Sequence, residues 1–344
     1  MTDHTASRNT APSVYRRRAW LSTAVFGLAV AVVGPLLATG AVAAHLINLW
    51  LIYSLAAVGF YLIYGVAGRF SFCHTFMMML GAYTSAWLAA RPAPTLLSLA
   101  AAVVVVAGVA TIFALATSRA THFYFAIATL GLTELGIIIF RHWHAFTGPD
   151  GVRNNIDYPE FFGVTLRSNR EIFWLLLVVL VLGILGVVMV ERSPMRREAI
   201  AARDLPAVAA TAGLPATKIQ TQLFVMGSAY GALAGALYGH WQGFVSTASF
   251  GLDVAIGIFL MVVLGGSQSV WGAVIGAGFY VLVPEILSQF TRLQTLLYGA
   301  LLVLILIVFP RGFLGLASDA VALARRAGRA ARARDAVGVE EVRK

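Results

Sequence analysis

Glu134 sits in the middle of an otherwise apolar run, Phe123–Phe140, with Thr129 and Thr133 just before it. A carboxylate near the centre of a bilayer costs at least ~2.5 kcal/mol and tends to face the interior of a helix bundle with a partner. Two readings stay open for it: a polar residue lining a solute path or holding a broken helix, and a structural carboxylate bonded to a neighbouring helix. A second polar site is Tyr64-Gly65-Val66-Ala67-Gly68-Arg69-Phe70-Ser71-Phe72-Cys73-His74, a glycine-punctuated junction between two apolar runs. Such an interruption either exposes backbone groups to a solute or is a tight turn capped by Ser71 and His74. Gly227, Gly231 and Gly235 recur every four residues, which lays a smooth seam along one helix and points to close packing.

Most soluble chemistry is missing from the chain. Its only lysines are Lys218 and Lys344, and neither completes a G-x-x-x-x-G-K-[ST] loop for nucleotide phosphates. There is no H-E-x-x-H, and in His142-Trp143-His144 the two imidazoles stand two residues apart, on different helix faces, so no metal site is expected. A G-x-S-x-G elbow is lacking as well. The single cysteine, Cys73, excludes an internal disulfide. The sequence therefore leads to a chain that carries no cofactor and no enzymatic site, and that forms a transmembrane path or a scaffold.

The charged, alanine-rich stretch Glu191–Gln222 carries helix punctuation. Ser193-Pro194 opens a helix, and Gly213 with Pro215 closes one. Ala199, Ala201, Ala202, Ala207, Ala209 and Ala210 lie among its charges, so this helical element is too small to build a core and small enough to be gripped by another protein. A flexible linker would not need caps.

The elements that position these residues are apolar. Hydrophobic residues make up 59% of the chain and charged ones 12%, with mean hydropathy +0.82. This is the composition of a polytopic membrane protein. Runs at Trp20–Ala38, Leu46–Val66, Phe72–Ala89, Leu96–Ala116, Phe123–Phe140, Ile172–Val190, Ile219–Tyr238, Val254–Leu264, Ala273–Leu287 and Leu296–Phe309 predict an all-α membrane helix bundle. About ten transmembrane helices are expected, since most runs approach the roughly 17–25 residues of a span. Eight or nine remain open if Val254–Leu287, interrupted by Gly265-Gly266-Ser267-Gln268-Ser269, re-enters. With ten spans, most of the 25 Lys and Arg fall on one side, which the positive-inside rule makes the cytoplasm. The expected organisation is a cytoplasmic N-terminal arm (1–19), a transmembrane domain (20–315) and a basic cytoplasmic tail (316–344). Within the domain lie an extracytoplasmic loop (142–171) and a cytoplasmic loop (191–220). The net charge of +10 is concentrated in juxtamembrane arginines such as Arg16-Arg17-Arg18, which fits anionic lipid rather than nucleic acid.

From about Leu46 to Gly315 the chain resembles the permease subunits of ABC importers for branched-chain amino acids, specifically the longer of the two sister permeases. Ser71-Phe72-Cys73-His74 followed by Gly81-Ala82-Tyr83 is similar to the family's S-L-G-H…G-A-Y segment, and Phe125–Leu130 with Glu134 to its F-A-I-x-T-L…E helix. Thr147-Gly148-Pro149-Asp150-Gly151 resembles its external T-G-G-P-D-G turn. Ser193, Pro194, Arg197, Arg203, Asp204 and Gly213 resemble the loop expected to contact the ATPases. The Gly265-Gly266 turn, Trp271-Gly272 and Pro310-Arg311-Gly312 complete the likeness. The family's usual residues are changed at Arg69, Cys73, Met79 and Gln268, where added bulk would narrow or reshape a path, and at Pro206, in the loop expected to contact the ATPases. The resemblance implies a bacterial plasma-membrane permease with a sister permease, two cytoplasmic ATPases that bind the ATP, and an extracytoplasmic solute-binding protein. Ser71, His74, Thr129 and Glu134 would line the substrate path. Urea or another small amide stands as the alternative solute, and a proton- or cation-coupled carrier using Glu134 as the alternative mechanism.

Overall fold

The computed structural model describes residues 23, 25–35, 40–91, 93–118, 120, 122–161, 163–288, 294–308 and 312. The expected arm (1–19), tail (316–344) and Pro310-Arg311 lie outside the described residues. Each apolar run has a helix: α1 Val25–Pro35, α2 Ala41–Tyr61 continued by a π-turn Leu62–Val66, α3 His74–Ala89, α4 Thr95–Ala116, α5 His122–His142, the short α6 His144–Thr147, α7 Asn169–Arg192, α8 Pro194–Asp204, α9 Pro206–Thr211, α10 Ala216–Gln242, α11 Leu252–Gly265, α12 Val270–Leu287 and α13 Gln294–Val308. Among the described residues six helices are long and apolar enough to cross a membrane. The fold is not purely helical: four two-residue strands pair as β1 (Val152–Arg153) with β4 (Val245–Ser246), and β2 (Glu160–Phe161) with β3 (Val164–Thr165).

The core forms where α2, α3 and α10 meet, because glycine lets their backbones touch. A Cβ on Gly227 of α10 would lie 2.5 Å from the Gly59 carbonyl oxygen of α2. One on Gly235 would collide with the Met78 carbonyl of α3, and one on Gly81 of α3 with the backbone of Ala232. The Gly227-Gly231-Gly235 seam is thus a packing surface, as its spacing suggests. Helices α11 and α12 form a hairpin of the same kind, in which added Cβ atoms on Gly265 and Gly276 would meet the carbonyls of Gly272 and Met261. Ser269 caps α12 by accepting from Trp271 N–H at 3.3 Å. The Gly265–Ser269 stretch is therefore a tight turn between the two helices.

The connections gather at two ends of the bundle. At one end Tyr61 donates to Glu191 at 2.5 Å, Gly65 abuts the Ser267 carbonyl, and Gly312 abuts Gly266. This joins the junction after α2, the loop after α7 and the α11–α12 turn. At the other end His240 of α10 bonds Ser85 of α3 and the Asp157 carbonyl, each at 2.9 Å. Trp241 donates to Asn169 at 3.1 Å, and Tyr83 donates to the Gly151 carbonyl.

Candidate functional site

The sequence expectation for the Tyr64–His74 junction needs correction. Cys73 precedes α3 without a side-chain cap. Ser71 is buried with its hydroxyl 3.3 Å from the Cys73 sulfur, and the His74 Nε2 lies 2.9 Å from the Ala56 carbonyl of α2. His74 is therefore packed in the α2–α3–α10 core, facing Gly59 and Gly231. Thr129 and Thr133 of α5 fasten the junction: Phe72 N–H donates to Thr129 Oγ1 at 3.0 Å, and Thr133 donates to the Phe72 carbonyl at 3.2 Å. Their hydroxyls satisfy backbone groups that the break between α2 and α3 would leave unpaired.

Glu134 does not turn inward. It is exposed on the outer face of α5, and among the described residues its carboxylate makes no ion pair or hydrogen bond. It shares this face with exposed Ile127, Leu135 and Ile138. Below it lies an open apolar groove of about 470 Å³ walled by Phe70, Phe72, Phe123, Ala126, Ile127 and Leu130. Phe70 is held by Phe72 and Phe259, with ring centroids 4.9 and 4.6 Å away.

The charged loop holds two helices rather than one, because Pro206 cannot continue α8 and restarts the chain as α9. Pro194 opens α8 as expected, while the Ser193 hydroxyl turns back to the Val190 carbonyl at 2.7 Å. Gly213, at φ +70°, ends α9, with Leu214 N–H returning to Ala209. Ala199, Ala202 and Ala209 are buried, whereas Arg197, Pro206, Ala207 and Ala210 face outward. Arg203 lies along the junction after α2: its guanidinium donates to the Gly65 carbonyl at 2.8 Å and to Asp204 at 2.7 Å. That hydrogen bond holds the Asp204 carboxyl below its ordinary pKa.

The family profile described as branched-chain amino acid transport system, permease component, matches residues 42–306. The chain belongs to this family. The permease is 30% identical to the high-affinity branched-chain amino acid transport system permease protein LivM of Salmonella typhimurium, over 77% of this chain and 68% of that one. It is 28% identical to Escherichia coli LivM over 78% and 68%, and 25% identical to Escherichia coli LivH over 76% and 91%. No solved structure gives a significant match. The permease is a multi-pass membrane protein built on transmembrane helices.

The Thr147–Gly151 turn is braced from within. Gly148 and Asp150 have φ +89° and +52° around Pro149, and Thr147 donates to the Phe140 carbonyl at 2.6 Å. Of the departures from the family pattern, Cys73 and Met79 are buried. Met79 reaches toward Gly136 of α5, so its bulk fills the seam between α3 and α5. Arg69 lies over the Phe125 ring at 4.4 Å. Sequence reasoning missed exposed Leu205 and Val208 in the loop; apolar residues flanking a proline amid charges were the available signal. It also missed the Phe70–Phe72–Phe259 wall, which only the fold assembles.

Proposed function

We propose that the chain is the membrane-spanning permease subunit of an ATP-binding-cassette importer that carries leucine-like amino acids into the cytoplasm. The observation that carries this reading is the outward α5 face. There a carboxylate without a partner among the described residues and an apolar groove are open on the protomer's surface within a membrane-spanning helix. A charge in that position needs water or another protein beside it, which supports a solute path completed by a sister permease. The groove's apolar walls suit an aliphatic side chain, and Glu134 suits a neighbouring ammonium group. The names of the LivM and LivH relatives support branched-chain amino acids as the cargo.

Ten spans, α1–α5, α7 and α10–α13, would place both termini and the α8–α9 loop in the cytoplasm of a bacterial inner membrane, the side richest in arginine. The exposed ridge Leu205, Pro206, Ala207 and Val208 then offers itself to two ATPase subunits, which bind and hydrolyse the ATP; the chain itself holds no cofactor. Strands β1–β4 and the 142–171 loop face the solute-binding protein. ATP-driven closure of the ATPases switches which side the groove faces.

Uptake of labelled leucine in cells with and without the gene tests the reading. An isoleucine-competed flux that disappears on deletion and on ATP depletion supports it. Competition by urea instead would assign a small amide, and a flux that survives ATP depletion but collapses with the proton gradient would assign a secondary carrier using Glu134.

A further inference from the structure

The end of α2 is irregular, and among the described residues no main-chain donor reaches its Gly65 carbonyl. Within the π-turn Leu62–Val66 the closing hydrogen bonds run from Ala67 N–H to Leu62, from Gly68 N–H to Tyr64 and from Arg69 N–H to Ile63. In a regular α-helix Arg69 N–H would bond the Gly65 carbonyl. Here that carbonyl is skipped, and Arg203 of α8 takes the place of the missing donor, with NH1 at 2.8 Å. The fit extends to the side-chain stem: Gly68, at φ +69°, lies directly against Cγ and Cδ of Arg203, leaving no space for a Cβ. Asp204 fixes the guanidinium from the other side, through Nε at 2.7 Å and NH2 at 3.4 Å. Four residues beyond Gly68 is Phe72, which walls the groove under Glu134 and is held by Thr129.

We propose that Arg203 is a transmission residue rather than an ATPase contact: by capping the skipped carbonyl at the end of α2, it carries displacement of the α8–α9 loop into the Gly65–Phe72 segment that walls the groove. The inference rests on the importer reading above. A charge-assisted hydrogen bond is directional and short, so it transmits a small shift that an apolar contact would absorb. Lysine can restore the single bond to Gly65 but not the fork held by Asp204.

Two measurements decide it. In the reconstituted importer with leucine-loaded binding protein, Arg203→Ala should keep ATPase co-purification and hold basal ATP hydrolysis within about twofold of wild type, yet lower leucine-stimulated hydrolysis and import about tenfold or more. Arg203→Lys should recover part of the loss. Loss of ATPase capture in Arg203→Ala, or normal import, would overturn the proposal. The second measurement needs no ATPase: in the isolated chain with Cys73→Ser, a thiol reagent should label Ser71→Cys about tenfold faster when Arg203→Ala is added. Labelling of Ser85→Cys, at the opposite end, should not change. Equal labelling of Ser71→Cys with and without Arg203 would sink the idea, and parallel increases at both sites would assign Arg203 a merely structural role. If the wild-type complex showed no stimulation at all, the importer reading would fall while the labelling result still decided what Arg203 does.

Discussion

Gly235 on α10 lies directly against the main-chain carbonyl of Met78 on α3, and about one turn away along the same seam Gly81 of α3 lies against the backbone of Ala232 on α10. Each helix supplies a glycine to the other's backbone, so the seam is closed from both sides. Without apolar solvent exclusion to drive helix association within lipid, this backbone approach supplies much of the packing.

Gly235→Ala should therefore destabilise the protein by about 1–3 kcal/mol, the usual cost of overpacking. Gly131→Ala on α5, where a Cβ would meet nothing within 4 Å, should leave stability nearly unchanged. Thermal unfolding of the two variants in detergent makes the comparison.

Thr129→Val removes the acceptor for Phe72 N–H and leaves a backbone donor unpaired, at about 1–3 kcal/mol. Import should fall with expression preserved, and Thr129→Ser should restore it. Equal uptake by the valine and serine variants would show that the threonine contributes no more than volume.

Glu134→Gln keeps size and polarity while deleting charge. If the carboxylate meets the solute's ammonium group, KM for leucine should rise by roughly tenfold or more, the loss expected for a charged hydrogen bond. A change confined to kcat would move Glu134 out of solute binding.

The ridge on α8–α9 should tolerate no charge. Leu205→Asp and Val208→Asp place carboxylates on exposed positions, so the bundle should fold as before while capture of the ATPases falls. Desolvating an unpaired charge in an interface is costly. Unaltered capture would remove this ridge from the docking surface.

Asp204 sets a pH expectation with a definite sign. Its folded pKa is lowered by the Arg203 hydrogen bond, so the contact contributes fully above the unfolded carboxylate value near ~3.9 and is lost as pH falls through the lowered one. Near neutral pH the pair stays ionised, so leucine-stimulated hydrolysis should not change with pH through its titration. Asp204→Asn should lower it at every pH tested.

Much of the bundle was legible because apolar length speaks directly: all ten runs became helices, and the cap residues at Pro194 and Gly213 stood where helices begin and end. The site was less legible, because direction is not written in one dimension. Glu134 looked like an inward carboxylate by cost alone, yet the orientation of α5 turned it outward. His74 and Thr129 lie near the same junction in sequence terms, but one faces α2 and α10 and the other binds Phe72. Arg203 carried a family signal for docking, while its fork reached a carbonyl 138 residues away, freed by a π-turn that no local propensity announces.

The α11–α12 hairpin has a consequence for how the chain enters the membrane. The two helices meet backbone to backbone, with the Gly272 carbonyl against Gly265 and the Met261 carbonyl against Gly276, so each leaves a groove that only its neighbour fills. With just Gly266-Ser267-Gln268-Ser269 between them, the two have no tether long enough to insert separately and find each other later. They are a single cargo for the insertion machinery, delivered already zipped.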